Sequence, residues 1–316
     1  MSEAIKLSYV LTTYNKLPYL REVLEVLIGN CKNDEEIIIA DGASTDGTTD
    51  YLQSIFQQGK IHQFISERDY GEAQGFNKAI LMARGELIKI ITDDDVYDFG
   101  IVQDCKNYML SNKSVDVVFA NIASISSSKG IGDLIFVKSY ETWFREWKNG
   151  ITKNCFVCGL SFLIRRSAIS NIGLFDTTFK HIDFEYSVRI TSKKVNVTYY
   201  TGLMVSAVIN VDSVSYASGN IVNNEIRRVS AYYDYIYPIG VKPSAVIEKN
   251  YSLPARVLSK FKTVKEAVIE YYPDYNYPLE INMDTADISA LYNELASIMK
   301  KYNQTNKPEF IENIRF

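Results

Sequence analysis

The first 92 residues alternate between short apolar runs and segments with helical periodicity. The apolar runs, rich in β-branched and aromatic residues, cover 6–13, 36–40, 61–66 and 86–92. The helical patterns between them lie near 17–28, 49–58 and 73–83. Continuous apolar strands that alternate with helices are typical of a parallel sheet with helices on both faces. We therefore expect an α/β fold with a Rossmann-like, mostly parallel central sheet.

A polar loop follows each of these predicted strands. The four loops are Thr12–Asn15, Asp41–Asp46, Glu67–Gly71 and Asp93–Asp95. Ligands of open parallel sheets bind beyond the carboxyl ends of the strands. The sequence therefore predicts that these loops meet at one edge of the sheet and form a binding site there.

The last of these loops contains three consecutive aspartates, Asp93, Asp94 and Asp95. Inside a strand they would alternate between faces and bury unpaired charge, so we expect them at the carboxyl tip. Their oxygens suit Mg²⁺ or Mn²⁺ that carries a diphosphate. The alternative is a solvated turn in which one aspartate caps the next helix.

Overall charge and missing motifs exclude several function classes. The net charge is -4 and the isoelectric point is near 5.4, so no nucleic-acid partner is expected. No apolar run approaches the ~20 residues that span a bilayer, and no signal peptide is recognised, so we expect a cytoplasmic protein. The segment after the first strand, Thr12–Pro18, contains no glycine, which excludes a dinucleotide fingerprint, and no P-loop motif occurs in the chain.

The ordered motifs resemble those of family 2 of the inverting nucleotide-sugar glycosyltransferases, which have the GT-A fold. The matching segments are Thr12–Asn15, Asp41–Thr48, Ser66–Gly71, Phe76–Ile80, Ala83–Glu86 and Thr92–Asp95. The resemblance is good from about residue 6 to 100 and is recognisable to about 228. It implies a GT-A domain over 1–220 and transfer of a sugar from a nucleoside-diphosphate sugar, most often a UDP-sugar.

The resemblance also implies roles for donor-binding residues. Thr12 and Tyr14 match the start of the nucleotide pocket, and Asp41 matches the carboxylate that receives the N–H of the base. Asp69 and Asn77 match a loop and a helix that border the donor.

In the aspartate triplet, the resemblance assigns Asp93 to the ribose and Asp94 to the metal. Because the acids are consecutive, the register is ambiguous and Asp95 is included among the metal ligands. The implied cofactor is a divalent cation, Mn²⁺ or Mg²⁺.

The general base is expected in a later segment, Phe175–Arg189, which resembles the family's acidic helix. Asp183 matches the base, although Ile182 stands where an acid is usual, and Glu185 is the fallback. The alternative for Asp183 is an acid that only interacts with the start of a helix.

The remaining chain, 221–316, is expected to be mainly helical, with helices near 223–235, 257–271 and 286–302. The partners implied are the donor and a sugar or lipid-linked acceptor, as in bacterial surface polysaccharide or glycoconjugate synthesis. Residues 232–237 and 256–265 are candidates for a peripheral contact with the inner face of the membrane, and the C-terminal helices are candidates for a homodimer. The alternative for these segments is ordinary helix packing.

Two other functions remain open. The first is a catalytically inactive scaffold of the same fold that binds a nucleotide-sugar. The second is a sugar nucleotidyltransferase, although the glycine-rich, basic loop typical of that class after the first strand is missing. Turnover of a nucleotide-sugar separates the first of these from a transferase.

Overall fold

The structure is a computed structural model that describes residues 4–126, 135–136, 139–157, 160–209, 219–235 and 285–315. Its strands are β1 Leu7–Thr13, β2 Glu35–Asp41, β3 Gln63–Ser66, β4 Leu87–Ile91, β5 Val96–Tyr97, β6 Val117–Ser126, β7 Ile135–Phe136, β8 Phe162–Arg165, β9 Val197–Ile209 and β10 Phe310–Asn313. Its α-helices are α1 Leu17–Asn30, α2 Thr48–Gln57, α3 Glu72–Met82, α4 Phe99–Ser111, α5 Ser139–Lys148, α6 Ile169–Ile172, α7 Ile182–Ser192, α8 Gly219–Tyr233 and α9 Thr285–Asn306.

The strands form one sheet in the order β10-β9-β6-β8-β4-β1-β2-β3. Strands β4, β1, β2 and β3 are parallel neighbours, and β6 is parallel to β9. Strand β8 is antiparallel to both β4 and β6, and β10 is antiparallel to β9. The predicted α/β class with a mostly parallel sheet is confirmed.

Helices cover both faces of the sheet, and each face has its own apolar core. On one face α3, α5, α7 and α8 pack against side chains such as Val10, Ile38 and Ile90. On the other face α1, α2, α4 and α9 pack against Leu11 and Ile39. Because β1 and β2 are buried on both faces, their central residues, 9–11 and 37–40, form uninterrupted apolar runs.

The parallel strands place their carboxyl ends at one edge of the sheet. In the register of β1 with β2, Thr13 lies opposite Asp41, and in that of β2 with β3, Asp41 lies opposite Ser66. Strand β4 runs parallel to β1 and leads into the aspartate triplet. The polar loops therefore meet at one edge, here called the carboxyl edge.

The C-terminal part contributes more than helices. Strand β10 pairs with β9 and extends the sheet, a strand that the sequence did not reveal. The predicted helix at 257–271 lies outside the described residues, and the division at residue 220 stays a prediction. Within the described ranges, the structure contains no helix long and apolar enough to cross a membrane.

Candidate functional site

Asp41 ends β2 with its carboxylate surrounded by hydroxyl groups. Ser44 Oγ donates to Asp41 Oδ1 at 2.5 Å, while Thr49 Oγ1 and Ser66 Oγ donate to Oδ2 at 2.8 and 2.6 Å. The residue is 1% exposed. Hydroxyl groups can rotate toward another acceptor, whereas the carboxylate stays where the strand places it. Asp41 is therefore a fixed hydrogen-bond acceptor at the carboxyl edge.

Three other predicted donor-binding residues converge beside it. A Cβ built at Gly42 would lie 3.2 Å from Asp69 Oδ2 and 3.3 Å from Tyr14 Cδ2. A Cβ at Gly75 would overlap Thr12 and lie 3.1 Å from Asp69 Oδ2. The Tyr14 residue is 59% exposed, so much of its surface is open to a ligand. The structure thus brings Thr12, Tyr14 and Asp69 together around two closely packed glycines.

The helix that follows the triplet has its own cap. Asp98 Oδ1 accepts hydrogen bonds from the N–H groups of Gly100 at 2.9 Å and Ile101 at 3.4 Å, at the start of α4. The alternative in which a member of the triplet caps this helix is therefore wrong.

Asp93 and Asp94 face a lysine. Lys16 Nζ forms an ion pair with Asp94 Oδ2 and lies 3.8 Å from Asp93 Oδ1. Burial raises the pKa of Asp93 to about 6, against the opposing effect of the Lys16 charge. Although burial disfavours its ammonium, Asp93 and Asp94 raise the pKa of Lys16 above its usual value. The three side chains form a charged cluster that is largely shielded from water.

Asp95 is oriented differently. Thr92 Oγ1 donates to Asp95 Oδ2 at 2.6 Å, and the N–H of Val208 on β9 donates to Oδ1 at 3.0 Å. Burial, and then the charge of Asp94, raise the pKa of Asp95 to about 7. Both oxygens of Asp95 thus accept hydrogen bonds within the protein and fix the loop against β9. A metal-binding role for Asp95 stays a prediction.

Asp183 lies near the triplet, and Glu72 links the two. Asp183 is half-buried in the first turn of α7 and its Oδ1 accepts from the N–H of Phe184 at 2.7 Å. Glu72 begins α3, and burial followed by the charges of Asp93, Asp183 and Asp94 raises its pKa to about 8. Shifts from neighbouring charges require short separations. The candidate base and the triplet therefore both lie near Glu72, a residue that the sequence did not single out.

The fallback base, Glu185, is not part of this group of acids. It is 3% exposed, and Arg189 donates to it from Nε at 2.8 Å and from Nη2 at 2.5 Å. Tyr233 Oη also donates to Glu185, at 2.6 Å. Glu185 is the acid of a buried ion pair within α7 and is also bound by Tyr233 of α8, so the assignment of Glu185 as an alternative base is wrong.

Helix α8 positions the start of α7. Glu225 accepts hydrogen bonds from the backbone N–H groups of residues 180 and 181 at 2.6 and 2.9 Å, and its Oε2 lies 2.9 Å from His181 Nδ1. Arg228 Nη2 donates to Thr178 Oγ1 at 2.7 Å. These contacts fix the turn that leads to Asp183.

Asn77 makes a similar contact from α3. Its Nδ2 donates to the carbonyl of Phe175 at 2.9 Å, and its Oδ1 accepts from the N–H of Phe175 at 2.9 Å. Both ends of the amide are thus bound to the segment before α7. The predicted donor-binding role of Asn77 stays a prediction, and its observed contacts are structural.

A tyrosine from the C-terminal helix also reaches the triplet. Tyr292 Oη on α9 donates to the backbone carbonyl of Asp94 at 2.5 Å, and Asn303 Nδ2 donates to Asp98 Oδ2 at 2.9 Å. No local sequence pattern marks these residues, because they act on a loop about two hundred positions away.

The carboxylates suit a cation that is completed by its ligand. Within the described ranges, no group of three His, Cys, Asp or Glu side chains is arranged to hold a metal ion. Asp94, with Asp93 beside it, offers the one or two carboxylates with which proteins bind Mg²⁺ together with substrate phosphates. These residues therefore fit a cation that also binds a diphosphate, rather than a preformed metal cage.

Comparison with known proteins identifies the class. The family model described as glycosyl transferase family 2 matches residues 8–173. Glycosyltransferase GlyG of Streptococcus pneumoniae is 30% identical over 131 residues, which are 41% of this chain and 42% of that protein. The match thus spans less than half of that relative's own length.

Two solved structures are similar in fold. S. aureus TarS 1-349 in complex with UDP-GlcNAc has a TM-score of 0.55 and 16% identity, over 72% of this chain and 66% of that one. Mannosyltransferase PcManGT from Pyrobaculum calidifontis, in complex with GDP-Man and Mn²⁺, has a TM-score of 0.50 and 16% identity, over 97% and 80% of the two chains.

The matched model covers more than half of the chain, from β1 to the end of α6. The chain belongs to glycosyl transferase family 2. The family and GT-A fold expected from the motifs are confirmed, whereas the roles of individual site residues stay predictions.

Proposed function

We propose that this chain is an inverting, metal-dependent glycosyltransferase that moves a sugar from a nucleoside-diphosphate sugar to an acceptor hydroxyl. The observation that carries this proposal is that Asp93 and Asp94 lie together beside Lys16 at the carboxyl edge, with Glu72 close to both of them and to Asp183. The donor-binding residues Asp41 and Tyr14 belong to loops at that same edge.

The donor nucleotide occupies the corner formed by Thr12, Tyr14, Asp41 and Asp69. Asp41 accepts a hydrogen bond from the N–H of the base, since its carboxylate is fixed and its hydroxyl partners can rotate away. The exposed ring of Tyr14 packs against the base. Uridine is the nucleoside we expect first, because most members of the family use UDP-sugars.

The diphosphate extends from this corner toward the triplet. Asp93 contacts the ribose, and Asp94 is the ligand for a divalent cation, with Asp95 holding the loop in place. When bound, Mn²⁺ or Mg²⁺ would neutralise the negative charge that develops on the leaving nucleoside diphosphate.

Asp183 is the general base. It takes the proton from the acceptor hydroxyl while that oxygen attacks the anomeric carbon, and the bond to the nucleoside diphosphate breaks on the opposite side. A single displacement inverts the anomeric centre and needs no nucleophile from the protein. Glu72 lies close to both Asp183 and the triplet.

The acceptor is proposed from the family resemblance alone. We propose a sugar or a lipid-linked glycan in surface polysaccharide or glycoconjugate synthesis, reached from the cytoplasmic face of the membrane. The basic stretch 256–265, proposed to contact the membrane, lies outside the described residues, as does part of the tyrosine-rich stretch. A homodimer through α9 is part of the same proposal.

The first test is a thermal-shift panel of UDP, GDP and dTDP, each with and without Mn²⁺. A ligand that binds the native state raises the melting temperature by mass action. We expect UDP with Mn²⁺ to give the largest shift, and hydrolysis or transfer of the matching nucleotide-sugar to follow. A shift without any turnover would favour the inactive scaffold, and no shift with any nucleotide would contradict the proposal.

A further inference from the structure

Lys16 sits where a cation is expected. Its Nζ is ion-paired with Asp94 Oδ2 and lies 3.8 Å from Asp93 Oδ1. The Lys16 and Asp94 side chains are 12% and 11% exposed, so water screens their attraction weakly. In the protein without donor, the ammonium of Lys16 therefore balances the charge of Asp94.

The backbone of Lys16 is fixed while its side chain can move. Asn15, just before it, has a φ of 54°, and its Oδ1 accepts from the N–H of Thr45 at 2.7 Å. Just after it, the N–H of Leu17 donates to Asp46 Oδ2 at 3.0 Å. The anchored turn brings Lys16 to the triplet, and the four-carbon stem lets the ammonium change partner.

We propose that Lys16 holds the cation position at Asp94 until the donor arrives, so that the divalent cation and the diphosphate bind together. This inference rests on the proposed function. A divalent cation that binds alone must break a shielded ion pair and leave the ammonium beside a second positive charge. When the diphosphate binds too, its oxygens become new partners for the displaced ammonium of Lys16.

The nearby acids explain why a positive charge beside Asp94 is needed in the protein without donor. Asp93, Asp94 and Glu72 lie close together, and their mutual repulsion is what a positive charge relieves. A carboxylate cluster without Lys16 would attract any free divalent cation. With Lys16 in place, the free chain binds metal weakly and the affinity rises only with the nucleotide. By linkage, the metal raises the affinity for the nucleotide by the same factor.

The test measures Mn²⁺ binding to the nucleotide-free chain, from the spin-resonance signal of free Mn²⁺, at constant pH and ionic strength. The variant is Lys16→Met, which keeps an unbranched side chain one atom shorter and removes its charge. The matched control is Lys113→Met, which breaks a 2.7 Å ion pair with Glu86 away from the triplet. Binding of UDP without metal is measured on the same three proteins.

We expect Lys16→Met to bind Mn²⁺ about tenfold more tightly than the wild type without nucleotide, and UDP without metal about tenfold more weakly. Lys113→Met should match the wild type in both. A merely structural role of Lys16 would not tighten metal binding. Equal Mn²⁺ affinity in Lys16→Met and the wild type would overturn the inference.

Two further results keep the test decisive. Should Lys16→Met not fold, Lys16→Gln takes its place, because it can still donate a hydrogen bond to Asp94. Tight Mn²⁺ binding by the nucleotide-free wild type would also overturn the inference, with no variant needed. Failure of UDP, GDP and dTDP to bind any of the proteins would instead contradict the proposed function.

Discussion

The two edges of the central sheet use acidic residues in opposite ways. At the amino edge, Glu36 accepts from Ser8 Oγ at 2.7 Å and pairs with Arg84 at 2.7 Å, and Glu35 pairs with Lys106 at 2.7 Å. Although burial opposes it, the hydrogen bonds from Ser8 and Arg84 hold the pKa of Glu36 below its usual value. Each acid there has a cationic partner.

At the carboxyl edge, acids gather around one another. Glu72, Asp93 and Asp94 lie near Lys16, and Asp183 lies near Glu72. The pKa values of Glu72 and Asp93 are raised by burial and by neighbouring carboxylates. Matched charges at the amino edge stabilise the sheet, whereas the excess negative charge at the carboxyl edge costs stability. Clustered acids with perturbed pKa values are typical of functional sites. The amino edge therefore stabilises the fold, whereas the carboxyl edge carries the candidate functional site.

The largest effect is expected from Asp94→Asn. Removing the carboxylate that faces Lys16 should lower transfer by about 10³-fold, because a bound divalent cation contributes several kcal/mol to such reactions. Steady-state rates with a UDP-sugar and Mn²⁺ measure this. Glu86→Gln, which breaks ion pairs with Lys113 and Arg165 at the amino edge, is the control and should keep its turnover per folded molecule. Wild-type rates for Asp94→Asn would remove the metal assignment.

Asp183→Asn should separate chemistry from binding. The amide oxygen still accepts from the N–H of Phe184, so the start of α7 should persist. We expect kcat to fall by about 100-fold or more, because the proton of the acceptor has no base, while UDP binding stays unchanged. Rapid-quench turnover and calorimetric titration with UDP measure the two quantities. Full transfer activity would show that another group is the base.

Glu36→Gln, at the amino edge, should lower stability and leave turnover unchanged. The side chain of Glu36 is fully buried and accepts from Ser8 and Arg84, so its loss should lower the free energy of unfolding by about 1–3 kcal/mol. Urea denaturation measures the change, and kcat per folded molecule should stay the same. Glu67→Gln, at an ion pair with Lys78 in which Glu67 is 55% exposed, should change stability by less than about 1 kcal/mol. A large loss of kcat in Glu36→Gln would contradict the expectation that acids at the amino edge serve stability alone.

Glu72→Gln should have an effect on stability that depends on pH. The pKa of Glu72 is about 8 in the folded protein against an ordinary 4.5, so the folded state keeps a proton that the unfolded chain loses between these values. Stability therefore falls as pH rises through that window. Because glutamine cannot lose a proton, the variant's melting temperature relative to the wild type should be higher by about 5 °C at pH 8 than at pH 5. Identical differences at both pH values would contradict the environment assigned to Glu72.

The sequence predicts a site at the carboxyl edge, because β1, β2, β3 and β4 are parallel and each is followed by a polar loop. Asp41, Asp69 and the triplet could be placed together from strand ends alone. The positions of Glu72 and Lys16 in the site could not be predicted. Each looks in the sequence like an ordinary residue at a helix start, and its role depends on neighbours on other loops. The orientation of Asp95 could not be predicted either, because the backbone of Val208 on β9 determines it.

The C-terminal part was predicted least well. A four-residue strand after a long helix, β10, carries too little pattern to be recognised without its partner β9. The fallback base failed for a related reason: Glu185 pairs with Arg189 one helical turn away, and the sequence could not show that this face of α7 turns inward.

The hydrogen bond from Tyr292 to the carbonyl of Asp94 has a consequence for how the protein is made. A ribosome finishes the triplet long before it reaches α9, so the growing chain carries the triplet without the hydrogen bond from Tyr292. Every other strand and helix of the described fold, β10 excepted, precedes α9 in order of synthesis. The nascent protein thus acquires this contact only after most of its sheet is present, and a chain cut short before α9 has the sheet strands up to β9 but lacks the hydrogen bond that fixes the carbonyl of Asp94.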